Sequence, residues 1–461
     1  MKKLALMVMA AAVLGSLSPV SAQEVDPLLQ LLIDKKVLTQ DEALTVQKEY
    51  DKKKEAQKEE TKKAMDDATK PMKSVSDALK GLKIGGTYYL SYQNGSSFSA
   101  SEADGLKSYN KFVLKRGYLD VRKEIAPWLA TRFTTDVHQD SEGNYLARQK
   151  YLYADFKWKG NKVFSNPHLE VGLIHTPWLD FEDSINTWRM QDALFLDREK
   201  ILASADSGIM FGANFGPALP KSYQDEVSKG FPGKWGSMAV GIYNGGGYSK
   251  GEKNMNKILQ YRVSFRPVPA YMPGLQLTVS GANGKGNLEP VNYDKDGIFL
   301  NERIYPDFNL INYMVSYQHA RFTLAGQWFK AEGNPTGSGY YTPAQYIPGK
   351  VEYSDIFSGP KTKGYSYFGE VKLDDAKKWT LWARYEKFDP DTEGIFEAVK
   401  ENSEDVRKRY IYGIAYKIYK DNIILLDYEK NSHTKEYGNI LHGDTVIPDE
   451  ERIQLTLQIK F

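Results

Sequence analysis

Two stretches of this 461-residue chain place reactive side chains at spacings that chemistry uses. GYSKG centres Ser249 between glycines, in the pattern of a nucleophile elbow that presents a serine for acyl transfer. That motif needs a strand before it and a helix after it. Here the following residues read as strand, so the chain is not expected to be an enzyme. NYDKDGIFLNER sets Asn292, Asp294, Asp296 and Gly297 in the order of a calcium loop, but its twelfth position is Arg303 and the acid stands one place early at Glu302. A plain turn fits it better. The six His are scattered without a pair at metal-ligand spacing, and with Cys 0 there is neither a thiolate site nor a disulfide. No cofactor or metal is expected.

What remains is a set of isolated cations, each embedded in alternating apolar residues: Arg116, Arg122, Arg132, Lys157, Arg262, Arg266, Arg384 and Lys417. Asp120, Glu124, Asp136, Asp155, Glu370 and Glu386 fall on the same predicted faces. Positions two apart on a strand share a face. If those faces line a water-filled tube, the chemistry is electrostatic selection of passing solutes. Charges of both signs side by side pair and largely cancel.

The elements that must carry these residues are strands. RFTLAGQWF sets Phe322, Leu324, Gly326 and Trp328 against Arg321, Thr323, Ala325 and Gln327; KWTLWARYEKF and the final ERIQLTLQIKF alternate in the same way. Such segments start near 82, 111, 129, 146, 168, 207, 235, 256, 274, 307, 320, 363, 377, 407, 421 and 450. About sixteen strands of this kind, joined alternately by tight turns and long loops, predict an all-β transmembrane antiparallel barrel. The physical ground is that lipid offers no hydrogen bonds, so a spanning sheet must close on itself. Tyr 31, Phe 20 and Trp 8, many at strand ends, suit the two membrane interfaces. GPALPKSYQDEVSKGFPGK is the exception: a long insert on the short-turn side, with room for a further hairpin.

The front of the chain differs. MKKLALMVMAAAVLGSLSPVSA reads as a cleaved secretory signal over 1–22, its apolar run too short to span a bilayer as a helix. Residues 23–81 read as a helical periplasmic segment: an amphipathic DPLLQLLIDKKV, then a capping box at Thr39 and Glu42 opening a Lys/Glu-rich helix towards Pro71. That helix is either solvated or a coiled-coil seam through Ala43, Val46, Tyr50 and Ala64. The barrel then occupies 82–461 and the expected location is the cell outer membrane. A net charge of +2 gives no case for nucleic acid.

Two stretches resemble the Gram-negative porins related to the phosphate-selective porins O and P: GLIHTPWLDFEDSINTWRMQDALFLDREKILASADSGIMFG, similar to the segment around that family's long third loop, and WARYEKFDPD, similar to its late strand. The resemblance implies a homotrimer of sixteen-stranded barrels, each with a constricting loop folded inside. The loop over 175–206 is then the constriction, with Trp178, Trp188, Arg189 and Arg198 as its candidate residues; a cap over the mouth is the other reading. The family's arginine ladder is matched here by a mixed-charge set. A channel for small hydrophilic solutes or anions is therefore expected rather than a phosphate-specific one. The rival is a sleeve that encloses a partner such as a multihaem electron-transfer protein; the chain itself has no CxxCH.

Overall fold

The computed structural model describes residues 26–99, 101–102, 105–140, 142–289, 291–293, 299–337, 359–393, 406–433, 436–439 and 443–461, with backbone alone at 68–78, 291–293, 299–304, 436–439 and 443–446. The expected signal segment and Asp294, Asp296 and Gly297 of the calcium-like loop lie outside these residues.

Two helices precede the barrel. Helix α1 (Pro27–Asp34) starts where Asp26 Oδ1 accepts from the Leu28 N–H at 2.9 Å. Helix α2 (Gln40–Leu79) starts on the capping box: the Thr39 N–H donates to Glu42 Oε2 at 2.8 Å and the Glu42 N–H to Thr39 Oγ1 at 3.4 Å. Bonding to Thr39 holds the Glu42 carboxyl below the usual range.

The barrel strands are β1 (Leu82–Phe98), β2 (Leu106–Ala126), β3 (Leu129–Gln139), β4 (Tyr145–Lys157), β5 (Phe164–His175), β6 (Ala205–Phe215), β7 (Gly236–Tyr243), β8 (Ile258–Phe265) and β9 (Leu275–Lys285). After a small hairpin, β10 (Val291–Tyr293) with β11 (Phe299–Ile304), come β12 (Asp307–Gln318), β13 (Phe322–Glu332), β14 (Lys361–Lys372), β15 (Trp379–Asp389), β16 (Arg407–Tyr419) and β17 (Asn422–His433). A second small hairpin, β18 (Glu436–Asn439) with β19 (Gly443–Val446), precedes β20 (Glu450–Lys460). Sixteen of these strands pair antiparallel in chain order, and β20 pairs with β1 to close the barrel. No strand edge is left open in that wall.

Burial follows the predicted period of two. On β15, Thr380, Trp382, Arg384, Glu386 and Phe388 are buried while Trp379, Leu381 and Ala383 are exposed. On β20, Gln454 and Thr456 point inward and Ile453 and Leu455 outward. Polar residues of the inner face bond to one another between neighbouring strands: Ser91 Oγ and Thr456 Oγ1 lie 2.9 Å apart, and Gln93 Nε2 donates to Gln454 Oε1 at 3.1 Å. The outer face is a continuous apolar surface of the kind a bilayer covers. Aromatics border it at both ends. Tyr365, Tyr385 and Tyr410 follow one another as tilted rings with centroids 6.0 and 4.9 Å apart near the long loops; Trp379 meets Tyr416 at 4.6 Å and Trp128 stacks on Phe156 near the short turns.

The ladder shifts between Tyr89/Leu90, so Lys115 is an extra residue in β2, and again between Thr134/Thr135, so Lys150 is extra in β4. Each bulge inverts the facing of the half-strand before it. The insert at 216–235 forms no hairpin; it carries one short helix, α5 (Lys221–Glu226), with Ala218 bridged to Gly233. The β1–β2 pair runs on to Phe98 and Leu106, so β2 begins before the start read near 111.

Candidate constriction site

The connection from β5 to β6, residues 176–204, carries helices α3 (Pro177–Asp183) and α4 (Phe195–Arg198) and lies against the inner wall. Its sequence explains why it is not an external turn. Trp178, Leu179, Phe181, Ile185, Leu194, Phe195 and Leu196 are all at most 1% exposed. They share one core with the inward residues Ile258, Ala282, Phe308, Leu310, Met314, Phe329 and Phe388 of β8, β9, β12, β13 and β15. At about 25 cal/mol per Å² of apolar surface removed from water, this burial is what holds the loop inside.

Polar anchors then fix its course across the lumen. Trp188 stacks on Trp382 of β15, with centroids 5.8 Å apart and planes at 11°, and its Nε1–H donates to Glu370 Oε2 of β14 at 2.9 Å. Gln191 Nε2 donates to Glu429 Oε2 of β17 at 2.7 Å, and the Gln191 carbonyl accepts from Gln454 Nε2 of β20 at 3.0 Å and from Lys115 Nζ of β2. Arg452 reaches Asp192 at 3.2 Å, and Arg407 reaches Glu199 at 3.1 Å. Beneath the loop, Phe231 of the insert meets Phe181 at 5.4 Å.

The expected loop residues take different places. Trp178 is inside the loop's own core and donates from Nε1 to Glu182 Oε2 at 2.8 Å. Burial pushes the Glu182 carboxyl up to about 8 against the pull of Arg384. Arg189 is held between Asp183 (3.3 Å) and Asp197 (3.1 Å), both on the loop. Arg198 is joined to the wall, donating to Glu386 Oε2 at 2.8 Å and to the Ala193 carbonyl at 2.9 Å.

The expected wall cations also divide. Arg116 donates to Asp136 Oδ2 at 2.8 Å, Arg122 to Asp120 Oδ2 at 2.6 Å and Arg132 to Asp120 Oδ1 at 2.6 Å; Lys157 lies 3.7 Å from Asp155. Arg122 keeps half its side chain exposed. Arg384 is buried against Glu386 (3.0 Å) and Gln191 Oε1 (3.1 Å). Arg262 is fully buried between the rings of Phe181 and Phe231 and donates to the Pro177 carbonyl at 3.1 Å and Ser237 Oγ at 2.9 Å. Arg266 is fully buried too, donating to the carbonyls of Gly233, Phe231 and Pro273. These two inward arginines have a protein surface packed over them and no exposed charge.

Residues that the alternation did not flag are as prominent. Lys115 and Lys150 point inward because of the two bulges. Arg148 donates to Asp136 Oδ2 at 3.0 Å and to the Tyr248 hydroxyl at 3.1 Å. Arg409 and Arg452 both pair with Glu429. Two cavities flank the loop. One of about 330 Å³ is lined by Tyr118, Arg122, Arg132, Lys150, Asp180 and Asp183 among others. The other, of about 360 Å³, is lined by Thr187, Trp188, Lys372, Lys377, Lys378 and Lys417 among others.

Ser249 lies in an exposed turn between β7 and β8 with no helix after it, so the nucleophile-elbow context is missing. Among the described residues no His, Asp or Glu group has a metal-holding arrangement.

A closed antiparallel barrel with an even number of strands, short turns at one end and longer loops at the other is the architecture of outer-membrane β-barrels. Solved structures of other barrel proteins are similar to this chain. The barrel is similar to the outer-membrane channel DcaP of Acinetobacter baumannii, with a TM-score of 0.52 and 11% identity over 82% of this chain and 97% of that one. It is similar at a TM-score of 0.50 and 11% identity to an anion-selective porin from Comamonas acidovorans, over 82% and 99% of the two chains. Salmonella typhi OmpF, in complex with daunomycin, aligns with a TM-score of 0.49 and 12% identity over 82% and 97%. No family model matches the chain, and no curated protein matches it.

Proposed function

We propose that this chain is an outer-membrane porin that passes small hydrophilic solutes and ions between the loop and the barrel wall. The observation that carries the reading is the apolar, aromatic-bordered outer face closed around a charged interior that the loop narrows. Arg116, Arg122, Arg132 and Lys157 form the accessible part of the expected lining, joined by Lys417 beside the second cavity. Arg262, Arg266 and Arg384 hold structure instead.

Most lining cations have acidic partners, which favours a mild anion preference over phosphate specificity. The excess of positive charge comes from Lys372, Lys377, Lys378 and Lys417 around one cavity. The loop spans from β2 to β17 and β20 and takes the space a threaded partner would need, which favours a solute channel over a sleeve. A homotrimer belongs to the same reading, with the N-terminal helices as an assembly segment.

Reconstituted protein should give stepwise KCl conductance in planar bilayers, with a reversal potential in a salt gradient modestly on the anion side. A barrel that inserts and passes no current would refute the channel.

A further inference from the structure

The smaller cavity holds an unbalanced pair of charges. Lys150, inserted by the β4 bulge, is 7% exposed, and among the described residues its one hydrogen-bond partner is the Tyr118 hydroxyl at 3.5 Å. The rings of Tyr118 and Tyr151 lie 4.7 and 5.5 Å from its Nζ. Among the described residues no carboxylate pairs with it. On the loop side, Asp180 has a charged group in reach at 4.0 Å, His175 Nε2. That nitrogen is already taken: Arg132 Nη1 lies 2.8 Å from it and an arginine can only donate. On the other side of the ring Nδ1 lies 2.8 Å from Glu170 Oε2. Among the described residues no hydrogen-bond donor reaches the Asp180 carboxylate, and His175 is shared with Glu170.

The other charges lining this cavity have partners: Arg122 and Arg132 share Asp120, Asp183 lies 3.3 Å from Arg189, and Lys460 lies 3.1 Å from Asp421. A buried ammonium without a counter-ion is costly and is stabilised by an anion that enters. Volume adds a limit, since about 330 Å³ is near the lower bound of small-molecule sites.

We infer that this cavity is a binding subsite for a small zwitterion of the α-amino-acid class, its carboxylate on Lys150 and the Tyr118 hydroxyl, its ammonium on Asp180. The inference rests on the channel reading and names a solute class for it. Tyr151 lines the same cavity and supplies a flat wall for a short side chain. The exposed portion of Arg122 adds to the field that draws the carboxylate in.

The test titrates alanine, propionate and ethylammonium against the KCl conductance of the full-length protein in planar bilayers. Alanine is expected to reduce the current saturably and at lower concentration than either one-charge analogue. Lys150→Met, with Lys150→Gln as a second variant, should raise the half-blocking concentration about tenfold for alanine and for propionate alike. Asp180→Asn should raise it about tenfold for alanine and leave propionate unchanged. KCl conductance in each variant confirms that the barrel has formed. Equal block by alanine and propionate in the unaltered protein, or an alanine titration unmoved by these substitutions, would overturn the inference. A protein that conducts KCl and ignores alanine overturns the subsite and leaves the pore; one that never conducts overturns both.

Discussion

Replacing Trp188 by alanine tests whether the loop is anchored where its contacts say it is. The indole is 7% exposed, stacks on Trp382 and donates to Glu370 Oε2 at 2.9 Å. Truncating a buried tryptophan costs about 3–5 kcal/mol. Glu370 keeps Thr323 Oγ1 at 2.9 Å, so no carboxylate is stranded and the lower half of that range applies. At 1.36 kcal/mol per factor of ten, the open form of this part of the loop becomes about a hundred- to a thousandfold more populated.

Hydrogen exchange in detergent micelles reads that change locally. Amides of 184–191, including the Gln191 N–H bonded to the Trp188 carbonyl at 2.9 Å, should exchange faster by that factor. Those of β13–β15 should keep their protection, because each barrel strand is bonded on both sides. Trp188→Phe retains a ring and loses the donor, and should sit about ten- to a hundredfold above the unaltered protein, the worth of a hydrogen bond to a charged acceptor. If exchange at 184–191 is unchanged in Trp188→Ala, the stack is not an anchor and the account of the loop fails.

Three further outcomes follow from the same geometry. The Glu182 carboxyl is raised from 4.5 to about 8 by burial, so its contribution to loop docking is full below about pH 4.5 and is lost as pH rises through 8; exchange at 177–184 should speed up across that window, and Glu182→Gln should remove the dependence. Arg122→Gln should shift the reversal potential towards cations with a stability change under about 0.5 kcal/mol, whereas Arg262→Met should leave the reversal potential alone and cost about 1–3 kcal/mol by stranding the Pro177 carbonyl and Ser237 hydroxyl. Gly236 has φ +124° and a Cβ there would sit 1.9 Å from the Ser264 carbonyl oxygen, so Gly236→Ala should destabilise the β7–β8 pairing and lower the yield of heat-modifiable folded barrel.

Strand count and facing were legible because lipid enforces a period of two on the outside. Starts read near 129, 307, 407 and 450 are those of β3, β12, β16 and β20. The bulges at Lys115 and Lys150 were not legible, because one extra residue leaves the alternation intact on either side and merely changes its phase. Nor were the loop's partners: Trp188 and Glu370 are 182 positions apart, and nothing local couples them. The alternation placed Arg262 and Arg266 inward. Being covered is a property of what packs there, and for these two it is the insert and loop, which the pattern of β8 itself does not encode.

One signal for that cover does lie in the sequence. DFNLINYMVSYQ is apolar on both faces: Ile311, Tyr313 and Val315 face outward, while Phe308, Leu310 and Met314 face in and are at most 4% exposed. A lumen filled with water would not tolerate three such residues, interrupted only by Asn312, on its wall. They require a partner inside, and the apolar side of the β5–β6 loop, Trp178 to Leu196, is that partner. The opposite arc, β2 to β4, presents Arg116, Arg122, Arg132, Arg148 and Lys150 instead, and a cavity remains between that wall and the loop. Inward apolar residues on β12 thus mark where this barrel is filled, and the accessible inward charges on β2 to β4 border the cavity that remains.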